Sequence, residues 1–107
     1  MEKMEHFYTA GLWTVKPGKE ADFIAAWEEI AKWVVEKIGA EEAHLLQDLE
    51  QPQRFLSFGP WKDLRSIEAW RERPEFAQFI AKMKELCEDG EPHTLKSVAD
   101  VTSHSGH

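Results

Sequence analysis

Apolar residues alternate along His6 to Val15, but on both faces. His6, Tyr8, Ala10 and Leu12 fall on one side and Phe7, Thr9, Gly11 and Trp13 on the other, so the strand is expected to be covered on both. Arg54 to Trp61 reads the same way, with Phe55, Leu56 and Phe58 interrupted only by Ser57. Gly59-Pro60 is expected to stop that strand, because proline has no N–H for the ladder. Between these strands, Phe23, Trp27, Ile30, Val34 and Ile38 recur at helical spacing, and Ile24 and Ala31 widen the stripe. That predicts a helix from about Glu20 to Ile38, entered through the Lys16-Pro17-Gly18-Lys19 turn and ended by Gly39. Ala43 to Leu49 is a short second strand, joined to the next by Glu50-Gln51-Pro52-Gln53.

After Trp61 the pattern turns helical again. Asp63 is the expected N-cap of a helix over Leu64 to Glu72. Arg73-Pro74 breaks that helix and starts another, since proline disfavours a helical predecessor but suits a first turn. Phe76, Phe79, Ile80 and Met83 give the second helix an apolar side that runs to about Cys87. Glu88-Asp89-Gly90 reads as a stop, and Pro92 to Val101 as the last strand.

The order β-α-β-β-α-β predicts an α+β, ferredoxin-like fold: a four-stranded antiparallel sheet with helices on one face. The helices cover only that face, whereas the first and third strands are apolar on both. A second copy packed on the open face, giving a dimeric α+β barrel, resolves the mismatch. The chain is read as one domain over 1–107, with a core of about 6–101 and a polar, disordered tail over 102–107.

Charge and composition narrow the partners. Twenty acidic against 13 basic residues give a net charge of -7, a field that repels phosphate backbones and anionic lipid, so neither nucleic acid nor membrane is expected as a partner. No apolar run reaches the length of a membrane span and the start has no signal-peptide core; with a single cysteine, Cys87, the chain reads as cytoplasmic. The five histidines are scattered, and His104 and His107 lie in the tail, so no metal site is expected. Acidic neighbours Glu85, Glu88 and Asp89 disfavour a nucleophilic Cys87 thiolate.

Five tryptophans in 107 residues are the compositional anomaly. Trp61 at a strand exit and Trp70 at a helix end are either two core indoles or one wall of a pocket, and Trp27, Phe23 and Phe76 are either core or pocket lining. Trp13 is expected on the barrel side. His44 and His93 fall on strands, where a histidine serves as a base near neutral pH or sits at the surface.

Two stretches, VKPGKEADFIAAW and LSFGPWKDLRSIEAWRERPEF, resemble the antibiotic biosynthesis monooxygenase superfamily over about residues 6–101. The resemblance implies homodimeric α+β barrels with a pocket between helices and sheet, some oxidising polyaromatic compounds without metal or prosthetic group and others degrading haem. The haem-degrading pattern places Gly11 at its asparagine, Trp70 at its tryptophan and Ile80 at its iron-ligating histidine, and isoleucine cannot hold iron. The quinone-forming branch orients a phenol with tryptophan, tyrosine, asparagine and histidine; this chain has no asparagine. The resulting expectation is a cofactor-independent monooxygenase of a small aromatic or polyketide-like compound. It has His44 and Tyr8 as catalytic groups and Trp61, Trp70, Trp27, Phe23 and Phe76 around the substrate. The alternative is a non-catalytic dimeric module that binds a small apolar ligand.

Overall fold

The computed structural model describes residues 6–103. Residues 1–5 and the end of the tail, 104–107, with His104 and His107, lie outside the described residues. The chain forms β1 (Phe7–Val15), α1 (Glu20–Trp33), a π-helical turn (Val34–Ile38), β2 (His44–Gln47), β3 (Arg54–Trp61), α2 (Leu64–Glu72), α3 (Pro74–Leu86) and β4 (Cys87–Lys96). The four strands make one antiparallel sheet in the order β2-β3-β1-β4. This is the ferredoxin-like arrangement that the alternation of elements predicts.

Local signals explain several boundaries. The Asp63 side chain accepts the Ser66 backbone N–H at 2.8 Å, and this bond holds the Asp63 carboxyl below its ordinary value. Pro74 occupies the first turn of α3. Gly39, with φ 146°, ends the first helical segment and donates its N–H to the Val34 carbonyl at 3.1 Å. That wide, π-type bond swells the last turn of the expected single helix and sets Val34 against the sheet.

Two expectations at strand ends change. Gly59 and Pro60 stay inside β3: β2 ends opposite Phe58, and beyond it only residues 40 and 41 bridge to this stretch, with the Glu41 N–H donating to the Pro60 carbonyl at 2.9 Å, so no regular ladder bond there needs a proline N–H. β4 starts at Cys87, directly from α3, and ends at Lys96, so Glu88-Asp89-Gly90 is strand rather than stop. Gly90, opposite Trp13 on β4, and Gly11, two residues before it on β1 itself, both lie against the Trp13 ring. A Cβ on Gly90 would lie 2.8 Å from the Trp13 ring, and one on Gly11 2.5 Å from it. Both glycines make room for the indole.

The sheet has a covered and an open face. Trp13, Val15, Phe55, Ser57 and Trp61 are buried under the helices. Trp13 therefore belongs to the helix side, not to the barrel side. Two buried clusters form there, one around Trp13, Val15, Phe23 and Phe55, the other around Val34, Trp61, Ile67 and Trp70. A chain of ring contacts links them, from Phe55 through Phe23, Trp13, Phe79, Phe76 and Trp70 to Trp33, with centroids 5.0–6.4 Å apart. Such aromatic contacts stiffen the wall between clusters as well as burying area. On the other face, Leu46, Leu56 and Leu12 line up across β2, β3 and β1 and remain about half exposed. Ile24, expected inward, is also exposed. No helix among the described residues is long and apolar enough to cross a membrane.

Candidate functional site

A cavity of about 90 Å³ opens between the inner sheet face and the helices. Helix α1 and its π-helical turn contribute Trp27, Ile30 and Val34. The sheet contributes Thr9, Trp13, Ser57 and Trp61, and Trp70, Arg71 and Phe76 close it from α2 and α3. Because Trp13 belongs to one buried cluster and Trp61 and Trp70 to the other, the cavity lies where the two fail to merge. Its volume suits a few waters or a single small ring; anything wider requires the lining to move.

Most polar groups in this wall are already used. Trp13 Nε1 donates to Ser57 Oγ at 2.9 Å, and Trp61 Nε1 donates to Thr9 Oγ1 at 2.9 Å. These bonds satisfy buried indole N–H groups and fix the two rings. Neither N–H is then free for a ligand. The indole N–H groups of Trp27 and Trp70 meet no protein acceptor among the described residues, although Trp70 is edge-on to Phe76 at 5.3 Å.

The expected site residues divide by which side of the sheet they occupy. Trp61, Trp70, Trp27 and Phe76 are brought together around the cavity. Phe23 is not; it is fully buried between Trp13 and Phe55, at 6.0 and 5.0 Å, and belongs to the core. Tyr8 pairs with Pro60 and Leu95, and His44 with Phe58, on the open face. The sheet thus separates both expected catalytic side chains from the cavity. His44 stacks on Phe58 at 5.1 Å and approaches the cavity only through Glu42, a lining residue whose Oε1 lies 2.8 Å from His44 Nε2. His93 is likewise on the open face, 3.5 Å from Glu91.

Arg71 is a site residue that sequence reasoning missed, as is Glu42. Arg71 is half-buried in the cavity wall, with Cζ 5.2 Å from the Phe76 ring centroid, and burial lowers its guanidinium below the ordinary value. Nothing local separates it from Arg65 or Arg73; only the approach of α3 and β4 makes it different. Among the described residues no three His, Cys, Asp or Glu side chains gather to hold a metal ion.

The family model for antibiotic biosynthesis monooxygenases matches residues 7–82. The chain belongs to that family. No curated protein sequence matches it. Among solved structures, a Deinococcus radiodurans protein assigned to the same family is 19% identical, with a TM-score of 0.80 over 92% of this chain and 99% of its own. SnoaB, a cofactor-independent oxygenase from Streptomyces nogalater, is 15% identical, with a TM-score of 0.81 over 94% of this chain and all (100%) of its own. A family protein from Bordetella bronchiseptica is 20% identical, with a TM-score of 0.76 over 90% of this chain and 100% of its own. At these identities the likeness is one of fold. It puts the family's helix-on-sheet architecture around the cavity and leaves the chemistry to this chain's own residues.

Proposed function

We propose that this family member is a cofactor-independent monooxygenase of a small aromatic compound bearing a hydroxyl group, with the cavity as its reaction site. The observation that supports this is the tryptophan wall of Trp27, Trp61 and Trp70 around an apolar cavity, in a fold shared with an oxygenase of that type. An electron-rich ring stacked there loses the proton of its hydroxyl, and the anion's ring carbon supplies an electron pair to molecular oxygen, forming a C–O bond. A proton from that carbon and cleavage of the O–O bond release water and leave a quinone carbonyl. One oxygen atom enters the product, the other leaves in water, and the substrate supplies all the electrons. A dry cavity favours the anion's reaction with oxygen over its reprotonation by solvent. The Glu42–His44 pair at the rim takes the first proton, with His44 acting through Glu42. Tyr8, on the far side of the sheet, has no part in that step within one chain.

The open sheet face supports pairing with a second copy, since Leu12, Leu46 and Leu56 form a contiguous exposed apolar row.

A second reading is a dimeric binding module for a small apolar ligand. It is favoured by the scarcity of titratable groups in the wall, where the described lining holds only Glu42 and Arg71. Oxygen uptake decides between the two. The enzyme consumes oxygen with a panel of phenols in the presence of a chelator and without flavin or haem. No uptake across the panel, with phenol binding retained, leaves the binding module.

A further inference from the structure

Arg71 is the only cationic side chain among the described residues lining the cavity. Its surroundings fix it in place without neutralising it. Nη2 donates to the His93 carbonyl oxygen at 3.0 Å, and the face of Phe76 lies under the guanidinium. Nε is buried and has no acceptor. No carboxylate pairs with Arg71, and Glu75, one turn further along, is taken by Arg73 Nε at 3.2 Å. An unpaired cation and an unmet N–H in an apolar wall are unfavourable in the empty protein. They become favourable when an anion arrives, because a guanidinium whose plane is already set loses little freedom on pairing and acts in a low dielectric.

We propose that Arg71 is an anion-binding residue, whose guanidinium receives an anionic oxygen, carboxylate or phenolate, carried by the aromatic ligand of this cavity. The backbone bond to β4 and the stacking on α3 hold the plane, and the unused donors meet the oxygen. The aromatic part of the ligand then packs against Trp61 and Trp70. This assignment rests on the cavity being the ligand site.

Binding of benzoate and its uncharged isostere benzamide, followed by tryptophan fluorescence and calorimetry, tests it in the full chain. The wild type binds benzoate tighter than benzamide by about tenfold or more, as expected for a charge-assisted pair in a partly dry wall. Arg71→Gln loses that preference and keeps its benzamide affinity, while Arg71→Lys keeps part of the preference. Binding of 4-nitrophenol, followed through its own ionisation, separates the two sources: tighter binding of its anion in the wild type, lost in Arg71→Gln, identifies phenolate. A preference for either anion that Arg71→Gln abolishes supports the assignment. Equal binding of benzoate and benzamide with no preference for nitrophenolate, or a preference that survives in Arg71→Gln, overturns it while leaving the cavity as a ligand site. Binding of none of the three compounds overturns the cavity reading and the Arg71 assignment together. Should Arg71→Gln fail to fold, judged by circular dichroism, the wild-type preference and Arg71→Lys carry the decision.

Discussion

Trp13 and Ser57 are joined by a buried hydrogen bond, indole Nε1 to hydroxyl Oγ at 2.9 Å, across 44 residues of sequence. Ser57 is the only small polar interruption in an apolar strand and is buried, with 8% exposure. The bond explains why a hydroxyl is tolerated there, and it points the indole along the sheet between Gly11 and Gly90. Removing the hydroxyl leaves a buried N–H without an acceptor, at a cost of about 1–3 kcal/mol. Ser57→Ala is therefore expected to lower unfolding free energy by that amount, and Ser57→Thr, which keeps an acceptor, to lower it less. Equal stability of wild type and Ser57→Ala in urea titrations would show that the bond adds nothing.

Gly90 carries the second prediction. Its backbone lies against the Trp13 ring, so a methyl group at 2.8 Å forces either the indole or β4 to move. Gly90→Ala is expected to destabilise by roughly 1–3 kcal/mol, the range for an overpacked site. It is also expected to alter near-ultraviolet circular dichroism, because the Trp13 ring shifts. An alanine that stabilises the chain, as alanine does at an unconstrained strand glycine, would mean that the contact relaxes without cost.

The same glycine shows what could be read from the chain and what could not. Asp63 and Pro74 act through bonds a few residues long, so α2 and α3 are legible to within their ends. Gly90 after Glu88-Asp89 has the composition of a turn, and only a tryptophan on another strand makes it a strand residue. The site divides in the same way. Trp61 closes β3 and Trp70 lies near the end of α2, so their nearness is legible, but core and wall stay open in the chain and only the cavity beside them decides. Helical spacing puts Phe23 on the inner side of α1 but says nothing of depth, so core and lining were not separable there. Tyr8 and His44 depend on which sheet face the helices cover. Alternation separates two faces but cannot name them when both are apolar, and the side bearing Trp13 was the covered one. Arg71 has a local pattern no different from a solvated arginine, and its place emerges only from contacts with Phe76 and His93.

Cys87 gives a prediction in pH. Burial between α3 and β4 pushes its thiol up to about 11, against an ordinary value of 9.0, with Lys16 offsetting part of the effect. Iodoacetamide at pH 8 is expected to label the native protein slowly and the urea-unfolded protein readily, since the thiolate is the reacting form. A folded-state value above the unfolded one contributes stability that is complete below 9.0 and is lost as pH rises towards 11. The wild type is thus expected to lose stability over that interval more steeply than Cys87→Ala. Parallel pH profiles for the two proteins, or rapid native labelling, would contradict a buried neutral thiol.

The open sheet face gives the last prediction. Leu46, Leu56 and Leu12 lie side by side across three strands at 50%, 38% and 48% exposure. Leu95, opposite Tyr8, extends the apolar area towards β4 at 48% exposure. A stable protein interface buries about 600–1,000 Å² per partner, which most of one face of a four-stranded sheet can provide. The wild type is therefore expected to sediment as a dimer at micromolar concentration. Leu56 sits at the centre of the leucine row, so Leu56→Asp brings two carboxylates into a dry centre when two such faces meet. That variant is expected to sediment as a monomer while keeping its far-ultraviolet circular dichroism, because the carboxylate is hydrated in the separated chain. An acidic residue at Glu36, on the outer side of the π-helical turn, already stands in solvent, and Glu36→Gln serves as a control that leaves the dimer intact. A monomeric wild type, or a dimer that survives Leu56→Asp, would show that this face is not where two copies meet.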